Sequence, residues 1–165
     1  MSMDRDVPPP RESTDERTML TAFLDYLRDR MTAKLDGLDD EQARRSLVPS
    51  GTSLLGLVKH LAVVELGWFR WSFVGEDFDL PPGGEELTPD DTISGVVELY
   101  RSAVRGSQEV VAANSDLDQK AARSRRQGHD TQSMRWILVH MIEETARHAG
   151  HADILREQID GTIGR

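Results

Sequence analysis

The sequence predicts an all-α protein: a four-helix bundle with long connections between its helices. Three observations carry the prediction. Four long segments repeat apolar residues every three or four positions, capping residues and glycines bound them, and no segment sustains the alternation of a strand. Helices with one apolar stripe each must bury those stripes against one another, and a bundle does so with the fewest parts.

Residues 1–12 hold three consecutive prolines among alternating charges, which predicts a disordered arm and leaves 13–161 as one bundle domain. Ser13 with Glu16 three positions on forms a capping box, and Asp15 favours the positive end of the helix dipole. Leu20, Phe23, Leu24, Leu27 and Met31 recur at helical spacing up to the stop at Gly37, so the first long helix spans about 14–36. Asp39 to Arg45 makes a short helical turn before Pro49. Ser50-Gly51-Thr52-Ser53 is a turn ending in N-cap residues, and the second long helix runs from it to about Val74, ahead of Gly75.

Pro81, Pro82, Gly83 and Gly84 mark a long loop. In Thr88-Pro89-Asp90-Asp91, a capping threonine precedes proline at the first helical position and acids in the first turn. The third long helix is therefore expected over 89–113, with Ile93, Val96, Val97, Tyr100 and Val104 on its stripe. Residues 114–131 are polar and arginine-rich, include Gly128, and form the second long connection. Ser133 caps the fourth helix, which runs from Met134 to about Ile159 and stops at Gly161.

The 165-residue chain suits one soluble domain, with 38% hydrophobic and 30% charged residues. It has no cysteine, so any metal must be held by His, Asp or Glu. Twenty basic residues against 29 acidic ones give a net charge of −9, which repels phosphate backbones and speaks against nucleic-acid binding. The basic group Arg123, Arg125 and Arg126 reads as a solvated loop that one anionic cofactor could meet. The most apolar run, Leu54 to Val74, is interrupted by Lys59, His60, Glu65, Gly67 and Arg70, and reads as a buried helix rather than a membrane span. The N-terminus lacks an apolar leader, so a cytoplasmic address is expected, with a homodimer left open.

The chemistry concentrates in the segment HMIEETARHAGH of the fourth helix. At about 100° per residue, His140, Glu144, His148 and His151 project within one narrow sector. Trp136, Val139, Ile142 and Leu155 distribute around the helix and partly overlap it, so the sector borders the core. Glu144 and His148, four apart, can reach one ion, and so can His148 and His151, three apart. Glu144 and His151 lie ~10.5 Å apart along the axis and cannot easily share one. A third ligand must come from another helix. His129 sits in a loop beside Gly128, whereas His60 lies between Leu57 and Leu61 in an apolar stretch and can face the fourth helix. Trp68, Phe69, Trp71 and Phe73 at the end of the second helix read as core and loop anchorage, with a pocket wall as the other reading.

The two segments TSLLGLVKHLAVVELGWFR and RWILVHMIEETARHAGHADILRE resemble the DinB-like superfamily of four-helix bundles. They are most similar to its actinobacterial branch, which holds the mycothiol S-transferases and is related to mycothiol-dependent maleylpyruvate isomerase. The likeness covers most of residues 15–160. It implies a divalent metal held by one histidine of the second helix and a pair four apart on the fourth, a pair that is Glu then His in the isomerase. On this chain those positions are His60, Glu144 and His148, with His151 at the family's usual Gln position and so a possible fourth or substitute ligand. Two histidines and a carboxylate suit Zn²⁺ best, and also Ni²⁺, Mn²⁺ or Fe²⁺. The resemblance further implies a transferase that activates a low-molecular-weight thiol of the mycothiol type toward an electrophile. A metal-dependent isomerase or hydrolase, with Glu143, His140 or His151 as base, and a non-catalytic metal-binding bundle of stress-related type are the alternatives.

Overall fold

The structure is a computed structural model that describes residues 8–11 and 15–163. Its helices are α1 (Glu16–Ala33), α2 (Asp40–Arg44), α3 (Leu54–Glu65), α4 (Ile93–Ala113) and α5 (Met134–Asp160). A π-helix over Leu66–Val74 continues α3 without a break. No strand occurs among the described residues, so the predicted all-α bundle stands, and no helix is long and apolar enough to cross a membrane.

The helix ends follow from local chemistry, with two differences from expectation. Asp15 caps α1 through its side chain, which accepts from the Thr18 amide at 3.1 Å. Ser13 and most of the arm expected over 1–12 lie outside the described residues. The third long helix starts at Ile93, four residues later than expected, because Thr92 is its cap. Thr88 to Asp91 is a turn instead: Asp91 Oδ2 accepts from the Thr88 amide at 2.7 Å, so this acid serves the loop rather than a helix dipole. Asp39 and Gln42 form a reciprocal capping box on α2, and Ser133 caps α5. Gly75 and Gly161 close their helices with φ of 81° and 75°, the left-handed region that glycine enters without steric cost.

Buried residues define the helix directions. One cluster joins Met31 and Leu35 at the end of α1, Leu54 to Ala62 at the start of α3, Val96 to Ala103 at the start of α4, and Ala149 to Leu155 on the C-terminal half of α5. The other joins Leu24 to the π-segment, the end of α4 and the start of α5. Hence α3 and α4 run parallel, opposite to α1 and α5. The 75–92 connection must travel back along the bundle, as crossovers in such folds do.

Buried charges pin that connection. The Lys59 ammonium, fully buried, donates to the carbonyls of Pro82 and Glu86 at 2.5 and 2.7 Å and to Asp91 Oδ2 at 2.8 Å. Arg44 donates to the Thr88 carbonyl at 2.7 Å from the other side. A second buried pair, Arg28 with Glu65, is bidentate at 2.8 and 2.7 Å and ties α1 to α3. The 114–132 connection is held to the π-segment by the amides of Ala122 and Arg123, which donate to the Phe73 and Ser72 carbonyls. Those bonds satisfy carbonyls that a helix end leaves without partners.

Candidate metal centre and its cavity

His60 on α3 and Glu144 and His148 on α5 converge where the two core clusters meet. Glu144 Oε1 lies 3.1 Å from His60 Nε2 and 3.1 Å from His148 Nε2. One ligand atom from each residue falls within 4.8 Å of the others, and the two imidazole rings stand edge to face at 4.9 Å. Positions 144 and 148 are one turn apart on α5, which aligns them along its axis. His60 reaches them from α3 because Leu57 and Leu61 on the same helix are core residues that turn this face inward.

The surroundings complete the arrangement. The other oxygen of Glu144 meets an Arg147 guanidinium nitrogen at 3.0 Å. Glu85, carried in by the connection that Lys59 anchors, places Oε2 3.0 Å from His60 Nδ1. His148 Nδ1 is buried with no hydrogen-bond partner among the described residues. Burial pushes the Glu144 carboxyl up, but the hydrogen bond to His60 and the neighbouring His148 and Arg147 outweigh it and hold the group below its ordinary range. Burial depresses His148 despite the nearby Glu144 carboxylate. An ionised carboxylate beside a neutral imidazole is the state in which these groups ligate metals.

His60 carries a conflict of donors. Both of its ring nitrogens face carboxylate oxygens, Glu85 on one side and Glu144 on the other. A neutral imidazole has one N–H, so it satisfies one of the two. A cation between Nε2 and Oε1, whether a second proton or a metal ion, resolves the mismatch.

The other sequence candidates divide. His151 is exposed, with its ring 5.5 Å from that of His148, and lies outside the converging group. His140 stacks on Trp136 at 5.0 Å and meets the edge of Trp68 at 4.9 Å. Burial lowers its pKa, against the pull of Glu144 and Glu143. Of the aromatic group on the second long helix, Phe69 and Phe73 are core, Trp71 packs under Arg123, and Trp68 alone lines the cavity beside the site. His129, set aside as a loop residue, also lines that cavity without joining the ligand group.

The cavity has a volume of about 620 Å³, opening onto His60 and Glu144, with Trp68, Trp136, His140 and Arg125 in its walls. Sequence reasoning missed Glu85, which has no local signal, and the role of Trp136, which had one. Trp136, His140, Glu144 and His148 follow one another at steps of four, so they share a face of α5.

The sequence model of a family described as mycothiol S-transferase matches residues 19–161. Among solved structures, a conserved protein from Enterococcus faecalis is similar with a TM-score of 0.64 and 14% identity, over 91% of this chain and 100% of that chain, a likeness of fold alone. No curated protein matches the chain.

Proposed function

Since this chain belongs to the mycothiol S-transferase family, we propose that it is a metal-dependent thiol transferase in which His60, Glu144 and His148 hold one divalent ion. The observation that carries the reading is the convergence of two imidazole nitrogens on one carboxylate oxygen at the mouth of a cavity. Tetrahedral ions with bonds of about 2.0–2.2 Å hold neighbouring ligand atoms roughly 3.3–3.6 Å apart. Both contacts to Glu144 Oε1, at 3.1 Å, are close to that spacing. The donor set fits zinc first, and nickel, manganese or iron as well.

A divalent ion there favours the ionised, nucleophilic form of a thiol near neutral pH. The chain has no cysteine of its own, so the thiol comes with a small molecule, and the family makes mycothiol the expected one. The residues around the ligands do the positioning. With Nδ1 protonated toward Glu85 Oε2, 3.0 Å away, His60 would keep Nε2 available as a ligand, the usual support for a metal-bound histidine. Arg147 holds the second oxygen of Glu144, leaving Oε1 for the site. Glu143, one of the three groups that could serve a hydrolase or isomerase as base, is instead paired with Arg147 at 2.6 Å.

The test is turnover of metal-loaded protein with a chromogenic electrophile and mycothiol, glutathione or no thiol. Mycothiol-dependent loss of the electrophile, abolished in His148→Ala, is expected. Turnover without thiol would indicate a hydrolase or isomerase, and a metal-bound protein that turns over nothing would be a binding protein. Either result overturns the reading.

A further inference from the structure

The charge of the cavity is opposite to that of the chain. Three arginines line it, Arg125, Arg126 and Arg147, against two carboxylates, Glu85 and Glu144, in a protein of net charge −9. A divalent ion on the ligand group would make the cavity more positive still. Arg147 is committed, since it binds Glu143 and Glu144. Arg123 on the same loop is committed too, to Asp77 and the Gly75 carbonyl, outside the cavity. Arg125 makes no ion pair among the described residues, although Glu85 and Glu144 lie close enough to act on its charge.

Arg125 is also seated in a fitted place. Its guanidinium lies 4.9 Å over the Trp68 ring, a cation–π contact that fixes its plane. On the π-segment beneath it, Gly67 leaves the space: a Cβ there would come within 2.7 Å of Arg125 Nη1. A cation held by an aromatic face and a missing side chain, with no hydrogen bond or ion pair to another described residue, is built to receive an anion rather than to solvate a loop. Trp136 in the same cavity is 46% exposed, with His140 stacked on it. The part of the indole that His140 and Trp68 leave uncovered offers a flat apolar surface to a planar partner.

We propose that the electrophilic co-substrate is a planar, conjugated carboxylate, with its carboxylate bound by Arg125 and its face laid against Trp136. The proposal deepens the transferase reading and rests on it for the word co-substrate, while the recognition of a planar anion rests on Arg125, Gly67 and Trp136 alone.

The experiment is calorimetric titration of the full chain, as purified and after chelation, with cinnamate and with cinnamamide. The two probes share shape and differ in charge. Cinnamate should bind about tenfold or more tightly than the amide, the factor a charge-assisted hydrogen bond is worth. Arg125→Gln, which keeps the stem over Trp68, should remove that preference, leave cinnamamide binding unchanged and leave the bound-metal content unchanged. Trp136→Ala should weaken both probes. Equal affinity for the two probes, an Arg125→Gln protein that still prefers cinnamate, or no binding of either probe overturns the proposal. Failure of the transferase reading looks different: the cinnamate preference and its loss in Arg125→Gln would persist in a protein without thiol-dependent turnover.

Discussion

Replacing Lys59 with methionine keeps the volume of the stem and removes only the ammonium. In the folded chain that ammonium is wholly shielded from water and has three partners, two loop carbonyls and Asp91. Breaking one side of a buried charged pair costs about 3–5 kcal/mol. Two circumstances reduce the cost here. Asp91 keeps its bond from the Thr88 amide, and Pro82 and Glu86 are exposed residues whose carbonyls can turn to water. A loss of about 3 kcal/mol is therefore expected, from a total of roughly 5–15 for a domain of this kind. At about 2–4 °C per kcal/mol, the melting temperature should fall by roughly 6–12 °C. Urea unfolding with an unchanged m-value measures it directly. The site should respond as well, because the freed 82–91 segment no longer holds Glu85 at His60, and metal affinity should drop about tenfold or more. A stability loss under about 1 kcal/mol, with metal affinity intact, would refute the view that Lys59 fastens the crossover to the site.

Three further outcomes are expected. Gly67→Ala should leave stability unchanged or raise it by up to about 1 kcal/mol, through helix propensity, while displacing Arg125 from Trp68; urea unfolding together with cinnamate titration reads both effects, and a large destabilisation would mean that the arginine cannot move. The Asp91 carboxyl is raised by burial but lowered more by Lys59 and the Thr88 amide, so its folded pKa lies below the unfolded one. Its stabilising contribution is then full above the ordinary aspartate range of about 4 and lost as pH falls through the lower folded value, and Asp91→Asn should flatten the stability profile in that acid window. Chelation should lower the melting temperature without unfolding the chain, since ion binding to the folded state alone adds stability while the two apolar clusters stay packed; complete unfolding in chelator, seen by circular dichroism, would make the metal structural instead.

The bundle was legible because each long helix carries its own signals: an apolar stripe, and a cap or terminal glycine such as Ser133 or Gly161. Reading failed where one residue type serves two chemistries. Thr88-Pro89-Asp90-Asp91 has the composition of a helix start, but Asp91 is drawn into the turn by Lys59, a partner 32 positions away that local pattern cannot reveal. The π-segment over Leu66–Val74 was hidden for another reason: nine residues that are apolar on nearly every side give no period by which wide and ordinary turns can be told apart. On α5, spacing pairs His148 with Glu144 or with His151, and only the family resemblance singled out His60, Glu144 and His148, the three that the fold brings together. Arg125 looked like a solvated loop residue, since its setting depends on Gly67 and Trp68 from a helix it meets only in the fold.

The central claim is that His60, Glu144 and His148 bind one divalent ion while His151 does not. Elemental analysis of the purified chain and of four alanine variants, at these positions, tests it most directly. About one equivalent of metal should be present in the parent chain and in His151→Ala, and it should be lost in His60→Ala, Glu144→Ala and His148→Ala. Loss of the metal in His151→Ala with retention in Glu144→Ala would contradict the account.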